Sequence, residues 1–216
     1  MACSAPISEY NNQGFESLPG AEPTPERREE EREKMASSWK IHNAAELKAA
    51  AIKCTNGQMC NPSWIAMREA YKKNPAYFKG QKKSSSEVQL IQKYGDKFGD
   101  RGILAYELGR VISSCRWGYT AGYLTEEEAF AIMLPAAVRI QKLYKSWDDY
   151  VESYFVGRRF WNPQIYDDDP GRTIRVQHLL TVDPNGLHKI PWNTKLVYQP
   201  TKPKPQGFKW PWESSN

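Results

Sequence analysis

The chain has 216 residues, 40% of them apolar and 12% aromatic, and a net charge of +5. That length fits one core with tails, and the charge is too mild for the dense Lys/Arg stripe of a dedicated nucleic-acid binder. No run of about 18 apolar residues offers a membrane-spanning helix, and the start MACSAPISEYNNQGFES has no apolar signal core, so a cytoplasmic protein is expected.

Residues 1–36 read as a separate N-terminal segment, disordered or loosely docked. Pro, Ser, Asn and Gly lead into ERREEEREK at 26–34, an unbroken run of charge that buries no core of its own. Pairs such as Glu30 with Lys34 stand at helical spacing and support a solvated helix. From Asn43 the signals are helical. Asn43 caps, Glu46 answers it three residues later, and Leu47, Ala50, Ala51 and Cys54 follow. Asn61-Pro62 opens a second helix, Asn61 capping it and Pro suiting a first turn that needs no donor. Trp64, Met67, Ala70 and Tyr71 share a face, and Asn74-Pro75 ends it.

The next stretch, KKNPAYFKGQKKSSS, sets Lys72, Lys73, Lys79, Lys82 and Lys83 around Tyr71, Tyr77 and Phe78 with no acid between. It is either a basic surface loop or a stacking and phosphate-contact surface for single-stranded nucleic acid. Ser84 and Glu87 box the start of a short helix through Val88, Leu90, Ile91 and Tyr94, which Gly95 stops. Asp100 caps the strongest helix, with Ile103, Leu104, Leu108, Val111, Ile112 and Cys115 at three- and four-residue spacing. It runs into RWGYTAGYLTEEEAF at 116–130, where Gly118 and Gly122 let the chain turn. Thr125 and Glu128 form a capping box, and Glu126, Glu127 and Glu128 complement the helix dipole. Pro135 kinks or divides the helix that follows. Ser146 caps the next, whose aromatic side is Tyr150, Tyr154, Phe155, Phe160 and Trp161 and which carries Arg158 and Arg159.

Beyond Asn162-Pro163 the pattern changes. TIRVQHLLTV at 173–182 is rich in β-formers, DPNG at 183–186 is a turn, and LHKIPW follows, which together predict a hairpin. The expected fold is mainly α: about six helices in a compact bundle over residues 37–199 with a C-terminal β-hairpin, then a Pro/Lys-rich tail at 200–216.

Chemistry-bearing motifs are few. Cys3, Cys54, Cys60 and Cys115 have no zinc-pair spacing, and His42, His178 and His188 are scattered. Asp167–Asp169 read as a solvated turn. No metal, cofactor or catalytic set is expected. At the 116–130 corner, Trp117, Tyr119 and Tyr123 are placed to fill the wedge between two helices. Arg110 and Arg116 are placed to bond helix-end carbonyls or an acid such as Glu107. A functional alternative gathers Arg110, Arg116, Arg158 and Arg159 with Tyr119 and Trp161 into a pocket for an acidic ligand or partner, since guanidiniums suit bidentate carboxylate or phosphate contacts.

The stretch from residue 103 to 161 also resembles a bacterial family, domain of unknown function 1266. The resemblance rests on LGR at 108–110, RWGYTAGYLTEEEA at 116–129, SWDDY at 146–150 and GRRFW at 157–161, and extends over residues 45–195. It implies no established chemistry. It implies small cytoplasmic bacterial proteins, some accompanying Rhs-type or other polymorphic toxin genes. The expected function is therefore an immunity protein that binds and blocks a cognate antibacterial toxin of the Rhs or type VI secretion kind. Arg110, Arg116, Trp117, Tyr119, Tyr123, Arg158, Arg159, Trp161 and the lysine loop are its candidate contacts. The alternatives are an enzyme of unrecognised type using an Arg/Glu/Tyr pocket, and a nucleic-acid-associated factor using residues 71–83.

Overall fold

The computed structural model describes residues 1–11, 14, 15, 17–19, 24–76, 86–164, 170–181 and 186–198. In chain order its helices are α1 (Ala5–Tyr10), α2 (Pro25–Trp39), α3 (Ala44–Thr55), α4 (Asn61–Lys73), α5 (Ser86–Phe98), α6 (Leu104–Thr120), α7 (Glu126–Leu143), α8 (Trp147–Trp161) and α9 (Pro170–Thr181). Short 3-10 turns lie at Ala2–Ser4, Gly99–Arg101 and Leu187–Lys189. Among the described residues there is no strand, and no helix is long and apolar enough to cross a membrane.

Side-chain caps set four of the helix starts. Asn43 accepts from the Glu46 amide at 3.0 Å, Ser146 from the Asp149 amide at 3.2 Å, and Thr125 and Glu128 close a reciprocal box. Each such cap contributes about 1 kcal/mol. Thr24 does the same for α2 at the head of the charged run. Four expected ends differ. Asn61 does not cap α4; it is the first residue of the helix, and its side-chain oxygen accepts from the Ile103 amide at 2.8 Å instead. Gly95 does not stop α5, which gains one more turn because Phe98 is drawn into the core against Trp64 and Tyr94. Asp100 does not cap α6; it pairs with Arg68 at 3.0 Å, and Gly102 at φ +54° turns the chain into the helix. Gly118 stays helical under the Leu47 side chain, so the reversal falls on Gly122 at φ +76°. Pro135 does not divide α7.

The centre of the fold is α6, packed by α3, α7 and α8 and covered by α2 and the N-terminal turn. Its expected apolar residues, Ile103 through Cys115, are all buried. So are its polar residues Glu107, Arg110, Ser113, Ser114 and Arg116: residues 59–61 enclose Glu107, Trp39 lies over Arg110, and described residues of the first 36 lie over Arg116. Within that segment Ser4, Ala5, Ser8 and Met35 are themselves buried. Arg32 on α2 donates to the Ala121 carbonyl at 2.9 Å, a cation at a helix C-terminus, where the dipole favours it.

The first strand of the expected hairpin is instead α9. Leu180 is fully buried and Val176, four residues earlier, nearly so, whereas Ile174 is 58% exposed. That is helical spacing, and it seats α9 against α1 and α8. Packing decides over the strand preference of Thr, Ile and Val, which is itself context-dependent. Turn residues 183–185 and the tail 200–216 lie outside the described residues. LHKIPW forms a 3-10 turn anchored by buried Leu187, and Trp192 meets Trp147 edge-on at 4.9 Å.

Candidate functional site

Two pentapeptides of one pattern meet at the α6–α8 crossing: YELGR at 106–110 and YFVGR at 154–158. A Cβ on Gly109 would lie 2.5 Å from the Tyr150 hydroxyl and 2.7 Å from the Tyr154 ring. A Cβ on Gly157 would lie 2.6 Å from the Cβ of Tyr106. Each helix thus lacks a side chain where the tyrosine of the other arrives, and the pairings run in opposite chain directions. The Tyr106 and Tyr154 rings meet edge-on at 5.4 Å. The arginine that follows each glycine is carried to the same crossing.

Arg110 is only 8% exposed. Its guanidinium carbon lies 4.1 Å from the Trp39 ring centre, 5.2 Å from Tyr106 and 5.1 Å from Trp161. Such cation–π contacts contribute about 0.5–2 kcal/mol each, but Nε and Nη1 are buried and meet no acceptor. Arg158 is also 8% exposed and lies 3.6 Å from the Tyr10 ring centre. Among the described residues neither arginine meets a carboxylate. The Tyr154 hydroxyl is buried without a partner. Burial pushes the Tyr106 and Tyr154 phenols up, and both guanidiniums pull them partly back; the phenols stay protonated and able to donate.

Glu107, one turn before Arg110, does not pair with it. Its fully buried carboxylate accepts from the amides of Met59, Cys60 and Asn61 at 3.0, 3.0 and 2.7 Å, which satisfies the first donor of α4 and the two amides that lead into it.

Arg116 serves the fold. It donates to the Leu18 carbonyl (3.2 Å), the Ser4 and Ser8 hydroxyls (2.8 and 2.6 Å) and the Gly14 and Ser17 carbonyls (2.5 and 3.0 Å). This ties the N-terminal segment to α6. Trp117 meets Trp39 edge-on at 5.3 Å, and Tyr119 and Tyr123 pack half-buried against the core. Of the pocket expected from the sequence, Arg110, Arg158 and Trp161 gather around one aromatic cluster, Arg116 faces the N-terminal segment, and Arg159 is half-buried on α8. Sequence reasoning missed Tyr10, Trp39, Tyr106 and Tyr154. The repeated Tyr-x-x-Gly-Arg was the available signal for the last two.

In the basic loop, Lys72 lies 3.9 Å from Glu69 and 3.8 Å from Asp96, and Lys73 is exposed. Lys79, Lys82, Lys83 and Asp167–Asp169 are outside the described residues. All four cysteines are free and buried. Burial pushes the Cys3 and Cys54 thiols up to about 11, and Cys60 and Cys115 higher still, so none offers the thiolate that cysteine chemistry needs. Among the described residues no three His, Cys, Asp or Glu side chains are grouped to hold a metal. A separate, mostly apolar cavity of about 430 Å³ lies between α7, the N-terminal turn and residues 190–197, walled by Phe130, Met133, Trp147 and Trp192.

The described chain is thus a helical protein with an arginine- and aromatic-lined corner at its central helix crossing. It belongs to the family described as "Protein of unknown function (DUF1266)", whose model matches residues 34–192, a span that contains both Tyr-x-x-Gly-Arg segments. It is similar to the uncharacterized protein YbeU of Escherichia coli (strain K12), 27% identical over 140 residues, which cover 62% of this chain and 60% of YbeU. It is also similar to the uncharacterized protein YbeR of the same strain, 29% identical over 82 residues, which cover 38% of this chain and 34% of YbeR. The chain therefore spans less than two thirds of either relative. No solved structure matches it.

Proposed function

We propose that this chain is a protein-binding module, an immunity protein that holds and neutralises a cognate antibacterial toxin of the Rhs or type VI kind in the cytoplasm. The observation that supports the reading is the pair Arg110 and Arg158, buried in aromatic surroundings without a carboxylate among the described residues. A cation withdrawn from water without a counter-charge is costly. That arrangement suits a protein whose counter-charge arrives on a partner. Trp161, 48% exposed beside Arg110, adds an anchor of the kind that carries most interface energy.

Co-expression with the product of the neighbouring gene tests the proposal. The expected result is restored growth and a stable one-to-one complex on size exclusion. A neighbour that is harmless alone, or that kills equally with this protein present, overturns it.

A further inference from the structure

We infer that Arg110, Arg158 and the Tyr154 hydroxyl form a receptor for one carboxylate side chain, presented by an acidic segment of a protein partner. The inference rests on the binding reading above and names the group that the site takes. Its ground is an imbalance of donors over acceptors. A guanidinium carries five N–H donors and no acceptor. At this crossing both guanidiniums lie near enough to act on the Tyr106 and Tyr154 phenols, and Nε and Nη1 of Arg110 and the Tyr154 phenol oxygen are left unpaired.

The acids of the two crossing helices are engaged elsewhere. Glu107 binds three amides, Asp148 lies 3.4 Å from His188, Asp149 binds Arg101 at 2.5 and 2.8 Å, and Glu152 binds Lys97 at 2.5 Å. On α2, Glu31 pairs with Arg27 and Lys34. What is missing among the described residues is a negatively charged acceptor. Two buried like charges at one crossing strengthen that demand, since each disfavours the other until an anion lies between them.

The walls narrow the choice. Trp39, Tyr106, Trp161 and Tyr10 present flat faces to the guanidiniums, and each arginine keeps only 8% of its surface exposed. A planar carboxylate matches the guanidinium fork in such a space; a tetrahedral phosphate is bulkier. Trp161, half-exposed at the edge, offers the rest of a peptide an apolar platform. The crossing glycines hold the arrangement in place, because any side chain there would push the tyrosines and their arginines apart.

The test titrates the full chain with a blocked hexaglutamate peptide, followed by tryptophan fluorescence and calorimetry. Hexaglutamine, sodium phosphate and sodium acetate are the comparison ligands. Hexaglutamate is expected to bind saturably and hexaglutamine not to bind. Arg158→Met and Arg110→Met should each weaken hexaglutamate by about thirtyfold or more, the usual loss for one partner of a buried charge pair. Arg158→Lys keeps the charge and the fold but loses the fork, and should still weaken it. Lys73→Met, at an exposed site away from the crossing, should change Kd less than twofold. Equal binding by wild type and Arg158→Lys, or by both peptides, overturns the inference, as does phosphate binding without peptide binding. A toxin complex indifferent to Arg158→Met also ends the inference and leaves the binding reading standing. Peptide binding without rescue in co-expression does the reverse.

Discussion

Arg110 and Arg116 lie six residues apart on α6, both buried, yet their surroundings are opposites. Arg116 is enclosed by oxygen: two serine hydroxyls and carbonyls from residues 14, 17 and 18. Arg110 is enclosed by rings and has nitrogens with nothing to bond. Burial is therefore no guide to role in this protein; the accounting of donors is. Arg116, fully bonded, is a fastener; Arg110, under the proposal above, is a place where something else binds.

The sharpest way to break that comparison is Arg116→Met. The substitution fills much of the same volume but leaves buried hydroxyls and carbonyls unpaired, at about 1–3 kcal/mol for each that finds no water. A loss of about 3 kcal/mol or more is expected in urea unfolding, together with rapid proteolysis within residues 1–19. A loss below about 1 kcal/mol, with the N-terminus still protected, would mean that Arg116 fastens nothing.

Next in size is Gly157→Ala. The new Cβ would sit 2.6 Å from the Tyr106 Cβ and 3.1 Å from the Ile103 Cβ, atoms fixed near their backbones that cannot swing aside. Overpacking of this kind costs about 1–3 kcal/mol, and hexaglutamate binding should fall with it. Gly95→Ala is the counterpart. Its Cβ meets Arg68 at an ordinary 3.5 Å inside α5, so it should gain about 0.5–1 kcal/mol. If both substitutions behave alike in thermal unfolding, the α6–α8 crossing is not the tight one.

The contrast between the two arginines also marks what the sequence made legible. Caps at Asn43, Thr125 and Ser146 act through local chemistry, and each is where its residue type and spacing put it. The apolar stripe of α6 was equally plain. Its polar side was not, because what covers it comes from distant parts of the chain: residues 59–61 at Glu107, Trp39 and Trp161 at Arg110, and at Arg116 a segment about a hundred residues away whose composition alone predicts no core. Tyr10 and Trp39 reach Arg158 and Arg110 by that route, and no periodicity within α6 or α8 announces them. Residues 173–181 misled for the related reason that β-formers fold as helix when a helical face is what the neighbours bury. The crossing glycines were visible as letters, but their meaning lies in what approaches them.

A third arginine supplies a milder test. Arg101 forms a two-pronged pair with Asp149. Burial pushes the Asp149 carboxyl up, but the Arg101 bonds and the Lys145 amide outweigh it and hold the carboxyl below its usual range. The unfolded chain then binds the proton more readily than the folded one. The stabilisation is complete above the unfolded value of about 3.9 and is lost as pH falls below it. Urea midpoints of wild type and Asp149→Asn should therefore differ at pH 7 and converge below about pH 4. A gap that stays constant down to pH 3 would show that the pair adds nothing that titrates. The Arg110 corner contains no paired carboxylate among the described residues and should contribute nothing to this acid slope.

The smallest effect expected is the most telling. Arg110→Met removes a desolvated charge and keeps a long apolar side chain among Trp39, Tyr106 and Trp161. Lost cation–π attraction, about 0.5–2 kcal/mol per ring, is set against the relief of a buried cation without a counterion. Replacing buried charge by apolar groups of similar volume is often neutral or stabilising. The thermal midpoint without ligand should equal or exceed that of wild type, and the variant should lose the ligand-induced rise that hexaglutamate gives wild type. A drop as deep as that of Arg116→Met would mean that Arg110 is a second fastener, and the distinction between the two positions on α6 would fall.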